Sequence, residues 1–179
     1  PKLTREILTA LFSKNPYRPE QYIFESHLLT WIPQTVNGEV LTVRSLGEWM
    51  QKPKGQGNAT KYRYIWDEIL KEHGDREVER GHWVLMSREM LAGSYRKDEE
   101  TQKQMLSEKS EDFEMPHMID AVTTIAMHYI VSGEKVWQTY RDFTRCQEKV
   151  EELSVGVGAF GGSGFTVFCN SAVVSSRKF

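Results

Sequence analysis

Cysteine is scarce in this chain of 179 residues, with only Cys146 and Cys169 present. Two cysteines in a chain this long are not a disulfide framework and fit a reducing compartment. Charge of one sign is also missing. The 23 basic and 25 acidic residues leave a formal net charge of −2, which argues against a purely electrostatic nucleic-acid binder. No apolar run approaches the roughly 20 residues of a membrane span, and no signal peptide is visible at the start. The default expectation is therefore a cytoplasmic or host-delivered protein, with compartment left open. No G-x-x-x-x-G-K-[ST] loop, C-x-x-C pair or helical i, i+4 histidine pair occurs, and no cofactor or metal is expected.

What is present is concentrated at the C-terminal end. Residues 150–179 are rich in Gly, Val, Phe and Ser, and no charge falls between Ser154 and Ser176. Two apolar runs flank Gly161, Gly162 and Gly164, which reads as strand, turn, strand. Upstream, residues 22–32 read as a strand buried on both sides. Val36-Asn37-Gly38-Glu39-Val40 reads as a hairpin with a type I′ turn. Residues 42–51 read as a helix with Ser45 and Glu48 at capping-box spacing. Residues 60–73 are the clearest amphipathic helix, with Tyr62, Ile65, Trp66, Ile69 and Leu70 on one face. Residues 82–87 read as a buried strand, 98–109 as an exposed helix, and 116–132 as the most apolar helix, ended by Gly133. A chain of this size buries roughly 70% of its unfolded surface without a metal or disulfide staple. The expectation is one α+β domain over residues 1–179. Its single mixed or antiparallel sheet would combine residues 22–32, 82–87 and the C-terminal Gly-rich hairpin, with the amphipathic helices packed on it.

Several candidate sites can be weighed on their chemistry. Gly156-Val157-Gly158-Ala159-Phe160-Gly161 is a literal G-x-G-x-x-G. A dinucleotide site needs a helix to begin there, so that its amides face the pyrophosphate. Here strand-like residues follow, and no acidic ribose partner lies about 20 residues on, so turn and bulge glycines are the better account. Lys52, Lys54, Lys61 and Arg63 surround Gly55 and Gly57 and form an alternative phosphate or nucleic-acid contact, read first as a solvated basic loop. Cys146 is a candidate nucleophile if His82 or His27 meets it, against a buried structural thiol. His117 and His128 share roughly one helical face, too little for a metal site. Arg88 and Glu89 are read as an ion pair.

One resemblance rests on the order of several short segments. They are Glu25-Ser26-His27-Leu28-Leu29, Ile32-Pro33, Val36-Asn37-Gly38, Lys61-Tyr62-Arg63-Tyr64 and Trp83-Val84-Leu85-Met86-Ser87-Arg88. Gly93-Ser94-Tyr95-Arg96-Lys97, Thr144-Arg145-Cys146-Gln147-Glu148 and Arg177-Lys178-Phe179 complete the set. Taken together they resemble an uncharacterised paralogous family carried in many copies by amoeba-associated, chlamydia-like bacteria. The resemblance covers most of the chain from about residue 20 and supplies no activity. It implies members alike up to the last strand pair and different after the glycine cluster, over residues 165–173 here.

The expected function is a non-enzymatic binding or interaction module with an unidentified protein or small-ligand partner. Its contact surface would be residues 159–172, with Phe160, Ser163, Phe165, Thr166, Phe168 and Asn170 as contacts and Arg145 or Arg177 beside them. That stretch has turn glycines and aromatics but none of the acid–base residues a catalytic loop needs.

Overall fold

The computed structural model describes residues 1–51, 57–59, 64–137, 142–161 and 164–170. The fold is α+β. Helix α1 (Arg5–Leu11) precedes a small antiparallel pair, β1 (Lys14–Asn15) and β2 (Arg18–Tyr22). One turn of helix, α2 (Ile23–Ser26), leads into β3 (His27–Ile32). The hairpin β4 (Thr35–Val36) and β5 (Glu39–Val40) follows, then α3 (Val43–Gln51), β6 (Tyr64–Ile65), α4 (Asp67–His73) and β7 (His82–Ser87). Helices α5 (Glu99–Ser107) and α6 (Met118–Ser132) come before the closing strands β8 (Thr144–Val150), β9 (Leu153–Gly161) and β10 (Gly164–Asn170).

Helix α6 is the hub. It buries Met118, Ala121, Val122, Ile125 and Ala126 almost completely and packs on both β3–β7 and the β8–β9 face. A wide apolar stripe of this kind contributes roughly 1.5–3 kcal/mol per fully buried Val or Ile. Gly133 stops the helix in the left-handed region (φ 75°), a conformation glycine adopts without a Cβ penalty. No helix among the described residues is long and apolar enough to cross a membrane.

The strands do not form the single sheet expected. Strands β3 and β7 make their own antiparallel pair, and β8, β9 and β10 make an antiparallel sheet with the short β6 added in parallel at the β10 edge. The expected strand over residues 22–32 is broken by α2, because Glu25 Oε2 accepts from Tyr22 N (2.7 Å) and Ser26 Oγ donates to Tyr22 O (3.0 Å). These local bonds offer the backbone a turn in place of a ladder. The expected helix over residues 60–73 keeps only its second half. Tyr64 and Ile65 pair with Thr166 and Val167, and Trp66 N donates to Val167 O (3.2 Å), so a sheet edge outcompetes helical periodicity. Residues 60–63 lie outside the described residues. The first turn of α3 is capped by Thr42, not Ser45: Ser45 N donates to Thr42 Oγ1 and Thr42 N to Ser45 Oγ, both at 3.0 Å. The Asn37–Gly38 turn has φ of 54° and 86°, as type I′ geometry requires.

Candidate functional site

The closing sheet has two unlike faces, and its alternation creates them. On β10, Phe165, Val167 and Cys169 are buried, and on β9 so are Val155 and Val157. Between them lies the opposite face, where cross-strand partners form rows. Arg145 sits opposite Gly156, and Gly156 opposite Phe168. The register then slips by one residue between Gly164 and Thr166, and Gly158 takes φ 123°. Such a bulge turns the following residues over, and Phe160 accordingly packs on Tyr129 of α6 (ring centroids 4.9 Å).

The glycines of the G-x-G-x-x-G thus lie inside a strand, and their missing side chains have a use. A Cβ on Gly156 would come within 2.9 Å of Phe143 Cδ2 and 3.0 Å of Phe168 Cζ. One on Gly158 would come within 2.4 Å of Trp137 Cδ1. The three rings therefore lie directly on the strand backbone. Phe143 and Phe168 meet edge to face at 5.1 Å, and Trp137 Nε1 donates to Thr144 Oγ1 (3.0 Å).

These rings form one wall of a cavity of about 930 Å³. Strand β7, with Val84, Leu85 and Met86, and His27 of β3 line another part. Leu106 of α5 and Phe113 also line it. Several of its polar groups are bonded to one another or to the backbone. Tyr17 hydroxyl donates to Leu106 O (2.8 Å). Asn15 Nδ2 donates to Ser26 Oγ (3.1 Å), and Ser26 Oγ lies 3.0 Å from His27 Nδ1. Burial lowers the His27 pKa below its ordinary value, against a backbone hydrogen bond at Ile23, so this ring is neutral at pH 7. At the rim, Glu89 pairs with Arg18 and not with Arg88 as the sequence suggested.

Among the described lining residues, two have buried polar side-chain atoms without a hydrogen-bond partner. Gln21 Oε1 is buried without a hydrogen-bond partner, and so are Arg145 Nε and Nη1. Buried polar atoms without partners are few in proteins, and each calls for a reason. Burial pulls the Arg145 guanidinium below its ordinary value, against the raising effect of Glu99 and Asp98. It remains charged at neutral pH.

A second groove, of about 850 Å³, contains His82, Asp120, His117 and Glu148. His82 Nδ1 lies 2.9 Å from Arg80 O and Nε2 lies 3.0 Å from Asp120 Oδ1. Two oxygens around one ring require that either both nitrogens are protonated or Asp120 is. No nitrogen of His82 is then free to act as a general base. Glu148 accepts from Met118 N (2.7 Å) and pairs with His117 Nδ1 (3.2 Å), which caps the start of α6. No group of three or more potential metal ligands forms among the described residues.

The expected site residues divide accordingly. Arg145 and Phe168 line the large cavity. Phe160 and Phe165, proposed as surface contacts, are 6% and 0% exposed. Their rings meet at a tilt of 48° with centroids 5.2 Å apart, so an interior strand pair stands where an exposed rim was expected. Thr166 is half-buried and its hydroxyl donates to Gly158 O. Asn170 ends β10 opposite Ser154. Ser163, Arg177, Lys52, Lys54, Lys61 and Arg63 lie outside the described residues. Cys146 is 1% exposed and its thiol donates to Thr144 O (3.8 Å). Burial pushes that thiol well up, with Glu148 and Asp120 adding to it, the reverse of what a nucleophile needs. Gln21, Phe143 and Trp137 were missed as lining residues, and no spacing in the sequence links them.

Neither a scan against protein-family models nor searches of curated proteins and of solved structures finds a match to this chain.

Proposed function

We propose that this protein is a non-enzymatic binding module whose partner is a small molecule held in the cavity beside the closing sheet. The observation that carries this reading is the half-open cavity of about 930 Å³, lined in part by aromatic and methionine side chains. Such a volume suits a small ligand, and a core without a ligand role packs to crystal-like density instead. The C-terminal hairpin contributes Phe168 to the wall, and β8 contributes Arg145. The resemblance to the chlamydia-like bacterial family belongs to this proposal. Members that differ over residues 165–173 would differ at the Phe168 wall and so select different ligands.

The test is binding of an environment-sensitive apolar dye to the folded protein, followed by the dye's emission and by tryptophan fluorescence. The expected result is one saturable site that Leu91→Trp abolishes, because the larger ring fills the cavity that Leu91 lines. Binding that Leu91→Trp leaves unchanged contradicts the proposal. A Cys146 enzyme gains no support from a buried thiol with raised pKa.

A further inference from the structure

We infer that the ligand is a monoanionic acid, a carboxylate on a flat apolar body, and that Arg145 is the side chain that holds the carboxylate. This rests on the reading of the cavity as a ligand site.

An arginine does not escape burial by giving up its proton, so a half-buried guanidinium destabilises the fold until a counter-charge meets it. No carboxylate among the described residues forms an ion pair with Arg145. The two nearest in influence, Glu99 and Asp98, make hydrogen bonds and ion pairs elsewhere. Asp98 Oδ1 accepts from Thr101 N (2.7 Å) at the start of α5. Glu99 accepts from Ser154 Oγ (2.7 Å) and pairs with Lys103 (2.7 Å) and Lys149 (3.2 Å). A ligand carboxylate would supply the counter-charge that none of these side chains brings into contact.

The rest of the lining narrows the class. Among the described residues, the cavity is lined by four cations, Arg18, Arg96, Lys97 and Arg145, and three carboxylates, Glu89, Asp98 and Glu114. One positive charge is in excess. A single negative charge balances it, whereas a phosphate dianion would exceed that balance beside three carboxylates. A planar carboxylate also matches the guanidinium fork. The body is set by the row that carries Arg145. Across the sheet from it, beyond the bare Gly156, stands Phe168 with Phe143 against it. A flat apolar group attached to the carboxylate would lie against those rings, where aromatic contacts favour offset or edge geometry. Gln21 Oε1, the other unpartnered atom of this cavity, accepts a hydrogen bond from any donor the body carries.

The experiment titrates the full chain with three acids of different body (2-naphthoate, indole-3-butyrate and dodecanoate) and with the primary amide of each, by calorimetry. In the wild type, at least one flat acid should bind ten-fold or more tightly than its amide. Arg145→Met should remove that preference and leave the amide's affinity within about two-fold. Arg145→Lys, which keeps the charge without the fork, should fall between. Equal affinity for acids and amides overturns the inference and leaves the cavity reading standing. A preference that survives in Arg145→Met overturns the role of Arg145. Failure of all six compounds to bind overturns both readings. Should Arg145→Met not fold, the Arg145→Lys titration alone decides, since an unchanged acid preference there contradicts the fork.

Discussion

Two neighbouring rows on one face of the closing sheet treat buried charge in opposite ways. The row through Lys149 and Ser154 is covered by Glu99 of α5, whose carboxylate meets both of them and Lys103. The row through Arg145, Gly156 and Phe168 carries a guanidinium that no described carboxylate meets. Glu99 is 7% exposed. Burial alone would raise its carboxyl, but hydrogen bonds from Lys103, Ser154 and Lys149 outweigh that and hold it at about 2. The first row is a clasp that fastens α5 to the sheet. The second is a charge without a structural partner beside a cavity. The difference separates charge used for folding from charge available to a ligand.

Breaking the clasp should have the largest effect. Glu99→Ala leaves Lys149 and the Ser154 hydroxyl without their partner and should cost about 2–3 kcal/mol in urea unfolding. The sign with pH follows from the lowered carboxyl. Its contribution is full above about pH 4.5 and is lost as pH falls toward about 2. The difference between wild type and Glu99→Ala should therefore shrink across that interval. A constant difference would show that the carboxylate is not what holds α5.

Gly158→Ala comes next, at about 2 kcal/mol, since the new Cβ meets the Trp137 ring and the backbone at φ 123° disfavours any side chain. Displacement of the indole should shift Trp emission to the red. An unshifted spectrum would mean that the ring does not depend on the bare strand.

Arg145→Met sharpens the comparison, because it should act in the opposite direction to Glu99→Ala. Removing a half-buried charge with no partner should raise stability by about 1 kcal/mol in the ligand-free protein. Asp120→Asn should have the smallest effect. Burial raises the Asp120 carboxyl, against the pull of His82, so its contribution to stability is full below about pH 3.8 and is lost as pH rises through the raised value. Thermal unfolding across pH 3.8–7 should fall less steeply in Asp120→Asn, with less than about 1 kcal/mol of change at pH 7. An equal slope in the two proteins would mean that Asp120 does not govern it.

What could be read from the chain before its fold was known depended on range. Helix α6, the Asn37–Gly38 turn and the closing hairpin all follow from local spacing, and their signals lie within the segments themselves. Residues 64–65 do not, because their pairing with β10 involves residues some hundred positions away. The clasp at Glu99 was hidden because an acidic residue at the start of a charge-rich helix looks solvated. Arg145 was named as a candidate only as a neighbour of the closing hairpin. Its lack of a partner was not legible, since that depends on where Asp98 and Glu99 spend their oxygens. The G-x-G-x-x-G lies in strand, as its flanking residues suggested, yet its use as a bed for three aromatic rings needed the fold.

The central claim is that the Arg145 charge serves a ligand and not the fold. The most direct measurement is thermal unfolding of wild type and Arg145→Met, each alone and with saturating 2-naphthoate. The account predicts that Arg145→Met alone unfolds at or above the wild-type temperature and that only the wild type gains stability with the acid. An Arg145→Met protein that unfolds several degrees lower, yet gains as much from 2-naphthoate as the wild type does, would contradict it.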